Sequence, residues 1–144
     1  MNLKNDEKYQ LGNDGLTIVN AKAEDEGTYI CQASVTQTGE VRRIQIKVQV
    51  ETPPVWVTEL KDTEGVQGQD VIIKCEAQSK PMPVYSWTRN GIMLMGERFS
   101  INGGTLTIRN LRKEDTSTYS CIAENKSGRL EASLKLAVLG KLFI

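Results

Sequence analysis

Asp115-Thr116-Ser117-Thr118-Tyr119-Ser120-Cys121 is the stretch that decides the fold, because the chain uses it twice. The same frame occurs earlier as Asp25-Glu26-Gly27-Thr28-Tyr29-Ile30-Cys31, 90 positions upstream. Working outward, Leu16-Thr17-Ile18 recurs as Leu106-Thr107-Ile108, Asn20 as Asn110, Glu24 as Glu114 and Ala33 as Ala123. Past the next turn, with a one-residue slip inside it, Ile44, Ile46 and Val48 line up with Leu134, Leu136 and Val138. So long a period does not fit a solenoid unit. It fits tandem β-sandwich modules of about 100 residues each. With 144 residues in the chain, one module fits whole and the earlier copy lacks its front half.

Hydrophobic alternation supports an all-β reading of the second copy. Val71, Ile73 and Cys75 alternate with Ile72 and Lys74, the pattern of a half-buried strand. Tyr85 and Trp87 share a face, as do Tyr119, Cys121 and Ala123, and Leu134, Leu136 and Val138. Asn90-Gly91 and Ser127-Gly128 are turn signals. No stretch shows the 3.6-residue period of a helix. Thr52-Pro53-Pro54 reads as a linker, since proline donates no ladder hydrogen bond. The expected layout is a partial module over 1–50, a Pro-rich linker over 51–54, a complete module over 55–139 and a tail over 140–144.

Composition narrows the function. Eighteen basic residues balance eighteen acidic ones, so the basic footprint of a nucleic-acid binder is missing. No apolar run reaches the roughly 20 residues of a membrane helix. Met1-Asn2-Leu3-Lys4-Asn5-Asp6 does not resemble a signal peptide, and both ends read as truncation points. There is no histidine, hence no usual general base and no commonest metal ligand. The three cysteines lack metal-site spacing, and no acidic cluster suits calcium. Asn102-Gly103-Gly104 opens no helix and makes no phosphate loop. The expectation is a non-enzyme with no cofactor, no metal, no nucleic acid and no small-molecule substrate. Within the repeat, Cys121 has an upstream candidate partner in Cys75, whereas Cys31 has none and is the expected unpaired thiol.

The spacing Cys75, then Trp87, then Asp115-x-x-x-Tyr119-x-Cys121 resembles the signature of the immunoglobulin superfamily. Gly68 and Lys80-Pro81-Met82-Pro83 resemble its intermediate, or I-set, class. Cys121-Ile-Ala-Glu-Asn-Lys-Ser-Gly128 and Asp25-Glu-Gly-Thr-Tyr-Ile-Cys31 are similar to the neural cell adhesion molecules and to fasciclin II. The resemblance covers about residues 9–139. It implies an immunoglobulin-like antiparallel β-sandwich, with only strands E, F and G in the partial module. It implies a Cys75–Cys121 bridge between the sheets, which in the chain-entropy account stabilises by about 4 kcal/mol. Trp87 should then pack on the bridge, and Tyr119 should bond backbone upstream as a tyrosine corner. Arg98 and Asp115 are expected to pair across the base of the sandwich.

Other residues are open to two readings. Asn125-Lys126-Ser127 is a sequon at a turn, either a polar hairpin tip or a glycan acceptor. Trp56 is read as junction packing, with a partner-facing anchor as the alternative. Met93, Leu94 and Met95 are expected to cover the edge of the Trp87 sheet. The resemblance implies an adhesion ectodomain at the extracellular face of the plasma membrane. Its partners would be cell-surface or extracellular proteins, copies of itself included, with the membrane reached only through regions outside this chain. The outward residues Thr88, Ser120, Ile122, Glu124 and Lys135 would present the surface. The alternatives are a structural I-set module of an intracellular muscle-type protein and the ectodomain of a signalling receptor.

Overall fold

The computed structural model describes residues 6–12 and 15–141; Leu142, Phe143 and Ile144 of the expected tail lie outside them. The chain divides into two compact units, residues 1–51 and 52–144.

In the first unit, β1 (Tyr9–Gly12) pairs antiparallel with β2 (Gly15–Ile18), and β3 (Gly27–Ser34) with β4 (Val41–Val48). A single 3-10 turn, Ala23–Asp25, joins the hairpins. The expected three strands are thus four. β1 was hidden because Tyr9-Gln10-Leu11-Gly12 is too short to display an alternation. The hairpins form two separate two-stranded sheets.

The second unit runs β5 (Thr52–Trp56), β6 (Thr63–Val66), β7 (Val71–Lys74), β8 (Ala77–Lys80), β9 (Val84–Arg89), β10 (Ile92–Met93), β11 (Phe99–Asn102), β12 (Thr105–Ile108), β13 (Ser117–Asn125) and β14 (Gly128–Leu139). One layer orders its strands β10-β9-β13-β14-β6; the other comprises β11-β12-β7, with β5-β8 as a further pair. All pairings are antiparallel except β6 on β14. The Cys75–Cys121 disulfide straps the layers together. Between them lie Ile73, Trp87, Leu106, Ile108, Leu111, Tyr119, Leu134 and Leu136. This is the sandwich that the alternation required, since each sheet has one apolar face to bury.

Two expectations change. Thr52-Pro53-Pro54 is not a free linker but the start of β5, and Pro54 is buried. The β5–β8 register breaks between Thr52 and Val55, where the two prolines fall. Proline is tolerated in a strand at such an irregularity, where no ladder donor is needed. The second change concerns β4. Tyr29 faces Ile46, as Tyr119 faces Leu134, so Ile46 takes the place of a residue 88 positions on rather than 90. The turn between Ser34 and Val41 is longer than the Lys126-Ser127 turn, with Val35 N–H bonded to the Glu40 carbonyl. An even shift leaves the inward face unchanged.

Candidate functional site

The sequence signature lies inside the second unit. Trp87 is fully buried and donates its Nε1–H to the Gly104 carbonyl at 3.1 Å. Gly104 also accepts the Cys75 N–H, and a Cβ there would collide with the Cys75 carbonyl. Only glycine lets the two backbones approach so closely. Tyr119 donates its hydroxyl to the Asp115 carbonyl at 2.7 Å. Arg98 forks onto both Asp115 carboxylate oxygens at 2.8 and 2.9 Å, and the Arg112 N–H adds a bond at 2.8 Å. Burial alone would raise the pKa of Asp115, but the Arg98 fork, the Arg112 N–H and the charge of Arg89 outweigh it and hold the carboxyl below its usual value. Arg98 is pushed up, chiefly by its bonds to Asp115. Tyr119 is raised, first by burial. Trp87, Tyr119, Asp115, Arg98 and the bridge are thus each engaged in bonds within the second unit.

The first unit repeats the tyrosine–aspartate–cation corner, without the tryptophan or the bridge and with a different cation that sequence reading overlooked. Lys8 stands 90 positions before Arg98, and its Nζ lies 2.8 Å from Asp25 Oδ2 and 2.9 Å from the Asn20 carbonyl. Tyr29 donates to the Asp25 carbonyl and the Lys22 N–H to Asp25 Oδ2. The Lys8 bond is the largest influence holding Asp25 below its usual pKa. Cys31 is free and exposed.

The surface left for recognition is the outer face of the five-stranded layer, where Val84 and Ser86 of β9 lie across from Glu124 and Ile122 of β13. Thr88 and Ser120, expected to be outward and available, are buried. The Ser120 hydroxyl shares a 2.7 Å hydrogen bond with Ser133 on β14, a cross-strand pair of small side chains that patterning alone does not flag. Glu124 and Lys135 are exposed and Ile122 is half-buried. At the end of this face a shallow groove of about 500 Å³ is lined by Pro81, Met82, Val84, Ser86, Ile122, Glu124, Asn125 and Lys126. Met82 and Val84 are 85 and 75 % exposed there. The groove is mostly apolar, and Glu124 and Lys126 are the charged residues of its lining.

Met93 lies in β10, at the edge of the Trp87 sheet where it was expected, and Leu94 packs against the core, while the side chains of Met93 and Met95 are exposed. Trp56 packs on the core of the second unit, because its strand β5 belongs to that unit. Among the described residues no group of three or more His, Cys, Asp or Glu is placed to hold a metal ion. Among them, too, no helix is long and apolar enough to cross a membrane.

Comparison with known proteins follows these features. A family model described as an immunoglobulin domain matches residues 53–125, and another of the same description matches residues 2–44. Fasciclin-2 of Schistocerca americana is 39% identical over 140 residues, covering 92% of this chain and 16% of that protein. Contactin-5 of Danio rerio is 39% identical over 125 residues, covering 86% and 12%. Neural cell adhesion molecule 1 of Rattus norvegicus is 37% identical over 149 residues, covering 96% and 17%. The chain therefore spans less than a fifth of the length of these relatives. Among solved structures, immunoglobulin domains 1–4 of Sidekick-1 superpose with a TM-score of 0.75 at 25% identity, covering 86% of this chain and 34% of that one. An I-band fragment of titin reaches 0.79 at 22% identity, covering 96% and 52%, a likeness of fold alone.

Proposed function

The chain belongs to the immunoglobulin-domain family, and from that membership we propose that it is part of a cell-adhesion ectodomain at the outer face of the plasma membrane. Its work is protein–protein recognition by module surfaces, with other cell-surface or extracellular proteins as partners and a second copy of the same molecule among them. No catalytic step is assigned to it. The observation that carries the reading is the division of labour in the second unit. The signature side chains are buried and paired, while the outer face of the five-stranded layer presents a mostly apolar groove whose lining carries two charged residues, Glu124 and Lys126. A surface of this kind supports weak contacts that become firm when many copies act together. The likeness to fasciclin-2, a contactin and a neural cell adhesion molecule supports the adhesion reading over the muscle-type alternative. The oxidised Cys75–Cys121 pair also supports an extracellular setting.

The test uses beads coated densely with the Cys31→Ser chain, which cannot clump through that thiol. They are scored for clustering and for attachment to live cells. The expected result is clustering or attachment that falls about tenfold with Val84→Glu, in the manner of a lost central contact. Ile72→Glu, on the outer face of the opposite layer, leaves it unchanged. Inert beads, or equal losses from the two substitutions, would count against the reading.

A further inference from the structure

Asn125 makes four hydrogen bonds through one side chain. Its Oδ1 accepts the Ser127 N–H at 2.9 Å and the Gly128 N–H at 3.1 Å, closing the turn between β13 and β14. Its Nδ2 donates to the Thr52 carbonyl at 2.8 Å and to the Pro81 carbonyl at 3.2 Å. Both amide hydrogens are therefore in use, one on the start of β5 and one on the loop between β8 and β9. Those two segments meet each other as well, since the Lys80 N–H bonds Thr52 Oγ1 at 3.1 Å, and the Ser79 hydroxyl also bonds the Pro81 carbonyl at 2.7 Å within its own segment. The turn itself is seated against β5, since a Cβ on Gly128 would come within 2.9 Å of the Pro53 side chain. The first unit has Val35 in the corresponding place, and its turn closes by backbone bonds instead.

We infer that Asn125 is a latch joining β5, the Pro81 loop and the β13–β14 turn, and that the latch and an N-linked glycan exclude each other. The sequon Asn125-Lys126-Ser127 makes this a question of modification. Transfer of a glycan from a lipid-linked oligosaccharide pyrophosphate forms a bond from Nδ2 to the sugar anomeric carbon. It breaks that carbon's bond to the pyrophosphate, which leaves with the lipid, and removes one amide proton. The single remaining N–H can serve one carbonyl, not two. The sugar carbon would also take the place now held by the Thr52 or the Pro81 oxygen. A glycosylated chain thus loses one of the two outward arms of the latch, and with it the wall of the groove that Pro81, Asn125 and Lys126 build. The inference does not depend on the adhesion reading, since it concerns how the module is held together.

The experiment compares the full chain, Ser127→Ala, Asn125→Ala and Asn125→Asp, each secreted from eukaryotic cells and each made in the bacterial periplasm. Ser127→Ala deletes the sequon and keeps the latch. Asn125→Asp keeps an acceptor for the turn and discards both donors. The expected results are three. The secreted, monomeric wild-type chain has the mass of the unmodified polypeptide. Ser127→Ala melts within about 2 °C of wild type, while both Asn125 variants melt lower by roughly 5 °C, as the loss of several hydrogen bonds, two of them part-buried, implies in a domain of this size. Hydrogen exchange quickens at Lys80 in both Asn125 variants and at Ser127 and Gly128 in Asn125→Ala, while Ile73 and Trp87 stay protected, which separates a loosened latch from global misfolding. A glycan-bearing monomer that melts as low as Asn125→Ala supports the exclusion. A glycan-bearing monomer as stable as Ser127→Ala overturns it, as does an Asn125→Ala chain with wild-type melting and exchange.

Discussion

Tyr29 and Tyr119 each donate a hydroxyl to the carbonyl of an aspartate four residues earlier, both at 2.7 Å. Each aspartate accepts the N–H three residues before it and meets a cation 17 residues upstream, Lys8 just before β1 or Arg98 just before β11. Asn20 and Asn110 hold the same left-handed backbone, at φ of 50° and 49°. Yet Tyr119 is fully buried and Tyr29 is not, and Ile46 is 51% exposed where Leu134 is 2%. Among the described residues of the first unit, only Asp25 is buried. Local structure in these segments is therefore set by turns, corner bonds and cross-strand pairing. Burial is set by completing both layers: residues 52–89 supply β5 to β9 to the second unit, and the described residues of the first unit hold no counterpart of them. Short-range chemistry can specify a hairpin; only long-range packing makes it a core.

Three perturbations, each with its control, probe that difference. The largest effect belongs to the strap between layers. Cys75→Ala with Cys121→Ala should cost the second unit about 4 kcal/mol in urea unfolding followed by Trp87 fluorescence, while Cys31→Ser leaves that transition in place. Next is the buried carboxylate. Asp115→Ala should cost about 3 kcal/mol, because it leaves the Arg98 guanidinium without its partner. The pH dependence follows in sign. Asp115 has a folded pKa lowered from an unfolded value near 3.9. Its contribution is therefore complete above that value and is lost as pH falls through the lower folded one. The unfolding midpoint of the wild-type chain should drop on acidification below about pH 4, and Asp115→Ala should flatten that slope. The smallest is Tyr119→Phe, about 1–2 kcal/mol for a buried hydroxyl lost from the Asp115 carbonyl. Tyr29→Phe should leave the second unit's transition where it is.

How much of this was legible beforehand depended on whether the signal was local. The Cys75, Trp87, Tyr119 and Cys121 frame and the alternation along β7, β13 and β14 are patterns of neighbours, and the sandwich follows from them. The start of β5 was misread because two prolines signal a linker, and only tertiary pairing reveals that their missing donors fall in a register break. Thr88 and Ser120 alternate outward, so patterning exposes them; their burial depends on side chains from adjacent strands. Lys8 was overlooked although the 90-residue offset pointed to it, since a lysine in place of an arginine does not register as a match. For Asn125 the sequon was visible, but its four bonds reach residues up to 73 positions away, which no local reading supplies.

Native-state hydrogen exchange on the intact chain tests the central claim most directly, because it measures opening residue by residue. The account predicts slow exchange at Ile73, Trp87, Leu106, Cys121 and Leu134. It predicts exchange faster by at least about two orders of magnitude at Tyr29, Cys31, Ile44 and Ile46, whose strands lack equivalents of β5 to β9 beside and over them. Equal protection in the two sets would contradict it.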